Sequence, residues 1–561
     1  MAKNIYILGL CYSHDASVCL LKNGVPVVAI QKERLTRIKH DGSIFDINLD
    51  ECIEYCLRSE KIDLGDINLV VENSPTILYC REKDKVLSFK RKRLLNKIDQ
   101  NKIIQISHHL AHAYCAYALS EFDSCSVLVI DGQGNYLEDL TEDISNAIIF
   151  PKKVEPSFIE RESFYEFKKN KCRVIRKNFS IIHKSFVKIC GLGHMYEIVS
   201  SYVFKSRHDA GKLMALAPFG RKTNNFGITR IKKNAEIEYF NNWVVNYNHP
   251  NRAQNDLKKY WDEYAVLARK TQESLEKGIL ASVKWFKQNS SNASLCYAGG
   301  VALNCMANSI ILKKGGFKNL FITPAVSDCG VSLGCALYGY IKVLGKPKVK
   351  IEYLDYLGTK YQEKEILIAL KKNQSKIKYY KSNNIFKETA KQLNRGRVVG
   401  WWQDRSEFGP RALGNRSILA DPRDRQMRAK LNSKVKFREF FRPFAPSVLE
   451  DESLKYFDLA SSPYMLLAAK VKKDKRREIP AVVHVDNTAR IQTVNKEQNY
   501  KYYSLISEFK KITGIPMLLN TSFNKNEPIV ETPEDAIKCF LSTKIEVLVM
   551  GDYIATKKYA K

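Results

Sequence analysis

IYILGLCYSHDASVCLLKNGVPVVAIQ, residues 5–31, is the stretch from which the fold class is read. Three apolar runs, Ile5–Gly9, Ala16–Lys22 and Val25–Gln31, have the aliphatic and β-branched content of buried strands. Asn23-Gly24 between the last two is a hairpin signal, because a two-residue turn of the favoured type needs positive φ at both positions. The connection GLCYSHDAS (9–17) places His14 and Asp15 in the turn between the first two runs. A plain turn requires neither an imidazole nor a carboxylate there, so both are candidate catalytic residues.

Working outward, helical and strand patterns alternate. Asp50–Glu60 reads as a helix, Ile67–Val71 as a strand and Ser107–Ser120 as a helix. Ser126–Asp131 (SVLVID) reads as a buried strand, Leu257–Gln288 as a long helix, and Ser294–Ala298 as a strand running into a Gly-Gly turn and a helix from about Val301. Strand, glycine turn and helix in alternation after an opening hairpin suggest an α/β domain of the actin-like ATPase type, in which the turn holding His14 and Asp15 meets phosphate. Composition shifts near Lys346–Tyr356, and we place a boundary at about residue 355, giving domains 1–355 and 356–561. Beyond it come helices at Lys364–Lys372 and Ile385–Leu393 and strands at Tyr379–Tyr380 and Val398–Trp402. A terminal helix (Pro533–Leu541) and strand (Val547–Ala555) could pack on either domain.

A chain of 561 residues exceeds one core, and an apolar content of 45% is that of a globular protein. No run approaches the ~20 apolar residues of a membrane span. The N-terminus has no charged n-region or cleavage site. None of the 14 cysteines forms a CxxC pair, and several sit in apolar runs, so a reducing cytoplasm is expected. The net charge of +31 is the unusual figure. Basic clusters at Lys90–Arg93, Lys168–Lys177, Arg221–Lys233 and Lys472–Arg477 are the electrostatic footprint of a polyanionic partner such as nucleic acid. An AT-rich genome, which enriches lysine, is the competing explanation.

Three constellations carry chemistry. In HHLAH (108–112), His108 and His112 are four residues apart and share one face of a helix, as a two-point metal grip requires. Asp131, at the end of a buried strand, and Asp328, in the PAVSDCG turn, could complete a four-ligand set at converging strand ends. Mixed imidazole and carboxylate ligands suit Fe(II), Mn(II) or Zn(II), while His109 points elsewhere. In YAGGVALNCMAN (297–308), Gly299 and Gly300 allow close approach of a nucleotide to the backbone, and Asn304 belongs to the same segment. DAGKLMALAPFG (209–220) adds Lys212 for phosphate. Third, residues 407–446 hold ten arginines and lysines among Gly, Pro and Phe, the pattern of an oxyanion pocket rather than a repetitive charged face. Arg411, Lys436 and Arg442 are its best candidates, with Arg490, Asn520 and Ser522 as further lining.

With these motifs in view, the chain resembles the NodU/CmcH-type O-carbamoyltransferase family, which includes the tobramycin carbamoyltransferase. The matching segments run nearly end to end: GLCYSHDAS, ERLTRIKHD, HHLAHAYCA, GHMYE, GKLMALAPFG, AGGVALNCMAN, PAVSDCG, EFGPRALGNRSILADPRD, KFREFFRPFAP, VDNTARIQTV and NTSFN. The resemblance implies an N-terminal domain like the actin-like tRNA threonylcarbamoyl-transferase and a C-terminal α+β domain of YrdC type. It implies that carbamoyl phosphate and ATP, with Mg, form carbamoyladenylate in the second domain, and that a hydroxyl attacks it in the first. His108, His112, Asp131 and Asp328 match the family's metal set, with iron the implied ion. Arg411, Lys436, Arg442, Arg490, Asn520 and Ser522 match its carbamoyl phosphate and adenylate pocket. Either His14 or Asp15 could take the hydroxyl proton.

The chain departs from the family pattern at three places. NTSFNKNEPIV lacks the glycine expected before Glu-Pro, Ala210 stands where an acidic residue is frequent, and the basic stretch from about Glu155 to Ile189 has no match. That stretch is where acceptor contacts are expected. The charge points to DNA or RNA, a hydroxymethylated pyrimidine being the best-suited acceptor, with base extrusion in a duplex. The alternative acceptor is a small sugar, antibiotic or nucleotide hydroxyl. A sugar-kinase-like phosphotransferase would need neither the histidine pair nor the C-terminal pocket.

Overall fold

The computed structural model describes residues 4–42, 48–73, 94–181, 188–223, 227–240, 243, 257–352 and 354–558. The expected basic cluster Lys90–Arg93 lies outside the described residues, as does part of Arg221–Lys233. The chain divides into two compact units, Met1–Lys32 with His40–Glu352, and Glu33–Lys39 with Tyr353–Lys561. The short segment Glu33–Lys39 groups with the second unit, a discontinuity that one cut near residue 355 does not contain. Its arginines account for the grouping. Arg34 donates to the Gly409 carbonyl at 2.9 Å, and Arg37 donates to the carbonyls of Pro528 and Ile529, each at 2.7 Å.

The first unit holds two principal sheets, and their strands have the apolar runs read from the sequence. β1 (Tyr6–Cys11), β2 (Ser17–Lys22), β3 (Val25–Gln31), β4 (Ile67–Asn73) and β5 (Ile103–Ile106) form a sheet in the order β3-β2-β1-β4-β5. β1 to β3 are antiparallel neighbours, while β4 and β5 run parallel to β1. The second sheet contains β6 (Ser124–Ile130), β7 (Ile148–Phe150), β8 (Ile159–Lys168) and β9 (Lys171–Ser180). After a short ribbon, β10 (Thr229–Ile231) with β11 (Ile237–Tyr239), it is completed by β12 (Ser294–Ala298) and β13 (Asn319–Ile322). Its order is β13-β12-β6-β8-β9-β7.

Helix α1 (Asp50–Glu60) covers β2 and β3. Helix α2 (His108–Leu119) packs on β6 and β12, and every one of its residues is buried, which suits an element apolar on all sides. Helices α3 (Leu192–Phe204), α4 (Trp261–Gln288) and α5 (Cys305–Lys314) precede α6 (Val331–Tyr338), which lies on β1, β2 and β4 and packs directly against α2. Gly334 permits that approach, since a Cβ there would stand 1.8 Å from the Ala111 carbonyl oxygen. The close contact fixes the distance between the start of α6 and the histidines of α2.

Some expectations differ in detail. The helix expected from Val301 begins later: Gly300–Leu303 is a 3₁₀ turn, and Asn304 caps α5 by accepting from the Ala307 amide at 3.1 Å. Capping by an Asn side chain satisfies an otherwise orphaned donor and resets the helix start. The unmatched stretch near 155–189 contains the β8–β9 hairpin, and its basic cluster is only partly at the surface. Lys168, Lys169, Lys171 and Arg173 are exposed, but Arg176 and Lys177 are buried. Arg176 stacks on Phe150 and Trp285, with 4.3 and 4.6 Å to the ring centres. Lys177 sits between Glu142 at 2.6 Å and Glu160 at 2.5 Å. The surface cluster is therefore smaller than its sequence count, because Arg176 and Lys177, pointing to opposite faces of β9, are covered on one face by Phe150 and Trp285 and on the other by Glu142 and Glu160.

In the second unit, α7 (Glu363–Lys372) and β14 (Ile377–Lys381) precede α8 (Ile385–Asn394) and β15 (Val399–Trp402). There follow β16 (Arg416–Ala420), β17 (Ala445–Leu449), β18 (Leu467–Lys470), β19 (Thr488–Val494), α9 (Tyr500–Thr513) and β20 (Met517–Ser522). α10 (Pro533–Ser542), β21 (Val547–Met550) and β22 (Tyr553–Lys557) complete a nine-stranded mixed sheet, β14-β22-β21-β15-β16-β20-β17-β19-β18. Trp401 and Trp402 are buried at its centre. The terminal elements belong to this unit, β21 running parallel to β15 and β22 pairing with β14. The single strand expected over Val547–Ala555 is instead a hairpin, Met550 pairing with Tyr553 across Gly551-Asp552. Both units are α/β in composition. Among the described residues, no helix is long and apolar enough to cross a membrane.

Candidate active site

In the first unit the four expected ligands converge. His108 and His112 come from the first turns of α2, Asp131 follows β6, and Asp328 opens the 3₁₀ turn before α6. Their donor atoms all lie within 4.8 Å of one another, and all four residues are buried. His108 Nε2 is 3.1 Å from Asp131 Oδ2 and 3.4 Å from Asp328 Oδ1; the corresponding His112 distances are 3.3 and 3.6 Å. One oxygen of Asp131 is held by backbone, accepting from the amides of Gly132 (2.8 Å) and Gly300 (3.1 Å), so Oδ2 is the one turned to the histidines. The Gly-Gly turn makes this possible: Gly299 has φ +93°, and a Cβ there would meet the Ile130 carbonyl at 2.3 Å.

Burial opposes charge at every one of these groups, yet their mutual attraction wins. Burial lowers His108, but Asp328 and Asp131 raise it further, to about 10. His112 is raised against burial by the same two carboxylates. Burial and the like charge of Asp328 push Asp131 up, but the two imidazoles carry it below the usual carboxylate range. Asp328 is held well below that range by His108 and His14 against its burial. Two buried carboxylates this close stay ionised only beside positive charge, which the imidazolium forms of the histidines or a bound ion can supply. His112 Nε2 is buried and makes no hydrogen bond, leaving a lone nitrogen aimed into the cluster. Donor type, number and spacing fit a divalent transition ion. His109 is buried as well, its Nδ1 2.8 Å from Ser163 Oγ, away from the ligand set.

His14 stands at the rim, Nδ1 3.4 Å from Asp328 Oδ2 and Nε2 3.8 Å from Asp15 Oδ2. Asp15 accepts from His40 Nδ1 at 2.8 Å and from Ser327 Oγ at 3.2 Å.

In the second unit Lys436 is buried, and its ammonium donates to the carbonyls of Ser522 (2.9 Å) and Asn524 (3.0 Å), to Ser522 Oγ (3.2 Å) and to Asn524 Oδ1. Burial, then the positive charges of Arg438, Lys39 and Arg442, hold it well below the usual lysine range. Burial, Arg442 and Arg490 likewise lower Arg438 to about 9. Two cations, Lys436 and Arg438, held low by burial and by neighbouring positive charges, with the nearby Glu439 as the carboxylate that counters Arg438, make a site poised for an anion.

Two family patterns cover most of the chain. The pattern for the carbamoyltransferase N-terminus matches residues 6–94 and 76–337, and that for the carbamoyltransferase C-terminus matches 390–557. The chain belongs to the carbamoyltransferase family. It is therefore an enzyme that transfers a carbamoyl group. This carbamoyltransferase is 31% identical to nodulation protein NolNO of Sinorhizobium fredii, over 98% of its own length and 80% of NolNO. It is 32% identical to an uncharacterized protein of Synechocystis sp., over 98% of its own length and 97% of that protein. Full-length HypF, solved in its phosphate- and nucleotide-bound form, is 12% identical over 60% of this chain and 56% of that one. Its TM-score of 0.36 leaves that likeness no weight for fold or function.

Several expected residues of the carbamoyltransferase are engaged locally. Lys212 is 3.0 Å from Asp209, and Asn304, besides capping α5, donates to Gln272 Oε1 at 2.9 Å. Asn520 is buried on β20 and donates to Ser447 Oγ at 3.0 Å and Gln492 Oε1 at 3.1 Å. Arg411 lies half-buried in the loop between β15 and β16, and Arg490 is on β19. Arg442 is 3.9 Å from Glu439. Of the ten cations in 407–446, some are structural: Arg416 is buried over the Trp402 ring at 4.0 Å, and Arg423 pairs with Asp421 at 2.6 Å. Sequence reasoning missed Lys39, Arg438 and Asn524 beside Lys436. Arg438 and Asn524 stand in KFREFFRPFAP and NTSFN beside the expected Lys436, Arg442, Asn520 and Ser522, while Lys39 stands in ERLTRIKHD, which supplied no expected site residue.

Proposed function

We propose that this carbamoyltransferase is an O-carbamoyltransferase using carbamoyl phosphate and ATP, with Mg accompanying the nucleotide. The observation that carries this reading is the cluster of cations in the second unit in which burial, Arg438 and Arg442 hold Lys436 low and burial, Arg442 and Arg490 hold Arg438 low. Such a group has its charge restored by a phosphorylated ligand, as carbamoyl phosphate and ATP both are. The second unit, by analogy of YrdC type, forms carbamoyladenylate: water splits carbamoyl phosphate into carbamate and phosphate, and the carbamate oxygen bonds to the α-phosphorus of ATP as the bond to pyrophosphate breaks. The first, by analogy actin-like, carries out transfer: the acceptor oxygen bonds to the carbamoyl carbon, the bond to AMP breaks, and the hydroxyl proton passes to His14 Nε2, beside Asp15 and with Asp328 at its Nδ1.

His108, His112, Asp131 and Asp328 would hold a divalent ion, iron by family analogy, which supplies Lewis-acid stabilisation of negative charge when bound. The backbone amides on Asp131 Oδ1 keep the ligand set oriented. For the acceptor, a small-molecule hydroxyl is the reading we favour. The inward turn of Arg176 and Lys177 removes part of the charge argument for a nucleic acid. The test is carbamoyl phosphate-dependent release of pyrophosphate from ATP, followed by mass measurement on a panel of sugars, nucleotides and hydroxymethylated DNA. No pyrophosphate release would overturn the activation step, and a carbamoyl mass gained only by DNA would overturn the acceptor choice.

A further inference from the structure

Outside the buried ligand set lies a second convergence of imidazoles that the transfer reaction does not use as a group. His14, His40 and His208 are exposed, and a nitrogen from each lies within 4.8 Å of the others. Their ring centres are 5.6 Å apart for His14 and His40, 5.3 Å for His14 and His208, and 4.4 Å for His40 and His208. We propose that these three histidines form a second divalent-metal site, for an imidazole-preferring ion of the zinc, cobalt or nickel class.

The ligand chemistry is distinct from that of the buried set. Three neutral imidazoles with no carboxylate ligand favour Zn(II), Co(II) or Ni(II) over Mg(II) or Mn(II). A tetrahedral ion at about 2.0–2.1 Å from each nitrogen needs ligand atoms about 3.3–3.4 Å apart, a modest inward movement of exposed rings. An independent observation is the support behind the rings. Asp15 Oδ1 accepts from His40 Nδ1 at 2.8 Å, which fixes the tautomer with Nε2 as the lone-pair nitrogen. Asp328 Oδ2 lies 3.4 Å from His14 Nδ1, so an ion would take His14 through Nε2, the nitrogen 3.8 Å from Asp15 Oδ2. A carboxylate behind a ligating imidazole is the arrangement that orients histidines at metal sites and raises their basicity. Exposure leaves the fourth position to water.

One consequence rests on the reading of His14 as proton acceptor. An ion on His14 occupies the nitrogen that would take the hydroxyl proton, so the outer site would restrain transfer when that metal is in excess. The experiment is a Co(II) titration of chelator-treated full-length protein, followed by the visible ligand-field bands and by metal content after desalting. Two equivalents are expected for the native chain and one for His208→Ala, which leaves the buried set intact. One equivalent is also expected for His108→Ala, now at the outer site. A single equivalent in the native protein, two in His208→Ala, or a thiolate-to-cobalt charge-transfer band with the second equivalent would each overturn the site. In the activity arm, saturating Zn(II) beyond the first equivalent should lower carbamoyl transfer at least tenfold in the native enzyme. It should leave His208→Ala, whose zinc-poor rate matches the native one, unchanged. Two bound equivalents with an undiminished rate would leave the site standing and refute His14 as the proton acceptor.

Discussion

Lys177→Met separates a structural cation from one that serves an acceptor. The Lys177 ammonium is buried between Glu142 and Glu160, and the Tyr165 hydroxyl lies 3.0 Å away. Removing it strands two carboxylates. Glu142 keeps a hydrogen bond from Tyr165 at 2.8 Å, and Glu160 keeps one from the Asn135 amide at 3.1 Å, so neither is left wholly bare. Loss of one partner from a buried ion pair costs about 3–5 kcal/mol. That is a large share of the ~5–15 kcal/mol that stabilises a typical domain. Arg173, in the same hairpin, has a side chain 70% exposed and meets Glu166 at 2.8 Å, so Arg173→Ala should cost less than about 1 kcal/mol. The two variants remove the same charge. Urea titration followed by amide hydrogen exchange in β8 and β9 measures both, and Lys177→Met/Glu142→Gln/Glu160→Gln should recover most of the loss. If Lys177→Met lay within 1 kcal/mol of the native protein while binding of DNA weakened, the buried-network reasoning would be wrong and the acceptor reading of the insert would return.

Four further outcomes are expected. Asp328→Ala or His108→Ala should lose carbamoyl transfer yet keep carbamoyl phosphate-dependent ATP–pyrophosphate exchange; loss of exchange in a folded variant would refute the division of labour. Arg442→Ala and Lys436→Ala should show the reverse, more than tenfold weaker for a loss of ~1.5–3 kcal/mol, with partial rescue by chemically supplied carbamoyladenylate. Metal content of the native enzyme, measured by equilibrium dialysis against a weak chelator, should fall as pH falls. The reason is that the ion must displace protons from His108, raised to about 10, and from His112, also raised. Burial raises Asp355 to about 7, so between about pH 4 and 7 the folded state binds the proton that the unfolded state has released. Stability should therefore decline as pH rises through that window, by at most about 4 kcal/mol, and Asp355→Asn should gain over the native protein at pH 8 but not at pH 4. Parallel melting curves for the two proteins across that range would contradict it.

By itself the amino-acid sequence determined the local elements and singled out the four residues, His108, His112, Asp131 and Asp328, that meet in the buried cluster. The Asn23-Gly24 hairpin, the His108/His112 helix and the SVLVID strand are written in short-range periodicity, and each is present. Asp131 and Asp328 were legible because strand ends of an α/β sheet converge on one cleft. Distances of approach were not legible. Gly334 brings α6 onto α2, and only the folded chain has Ala111 beside it. Nor was the sorting of charge legible, since Lys177 and Arg173 look equivalent in a basic run. One faces two glutamates inside the hairpin and the other faces water. The meeting of His14, His40 and His208, three residues with no common spacing, was likewise decided only by tertiary structure. Periodicity acts over a few residues, whereas burial and pairing energies depend on neighbours brought from far along the chain.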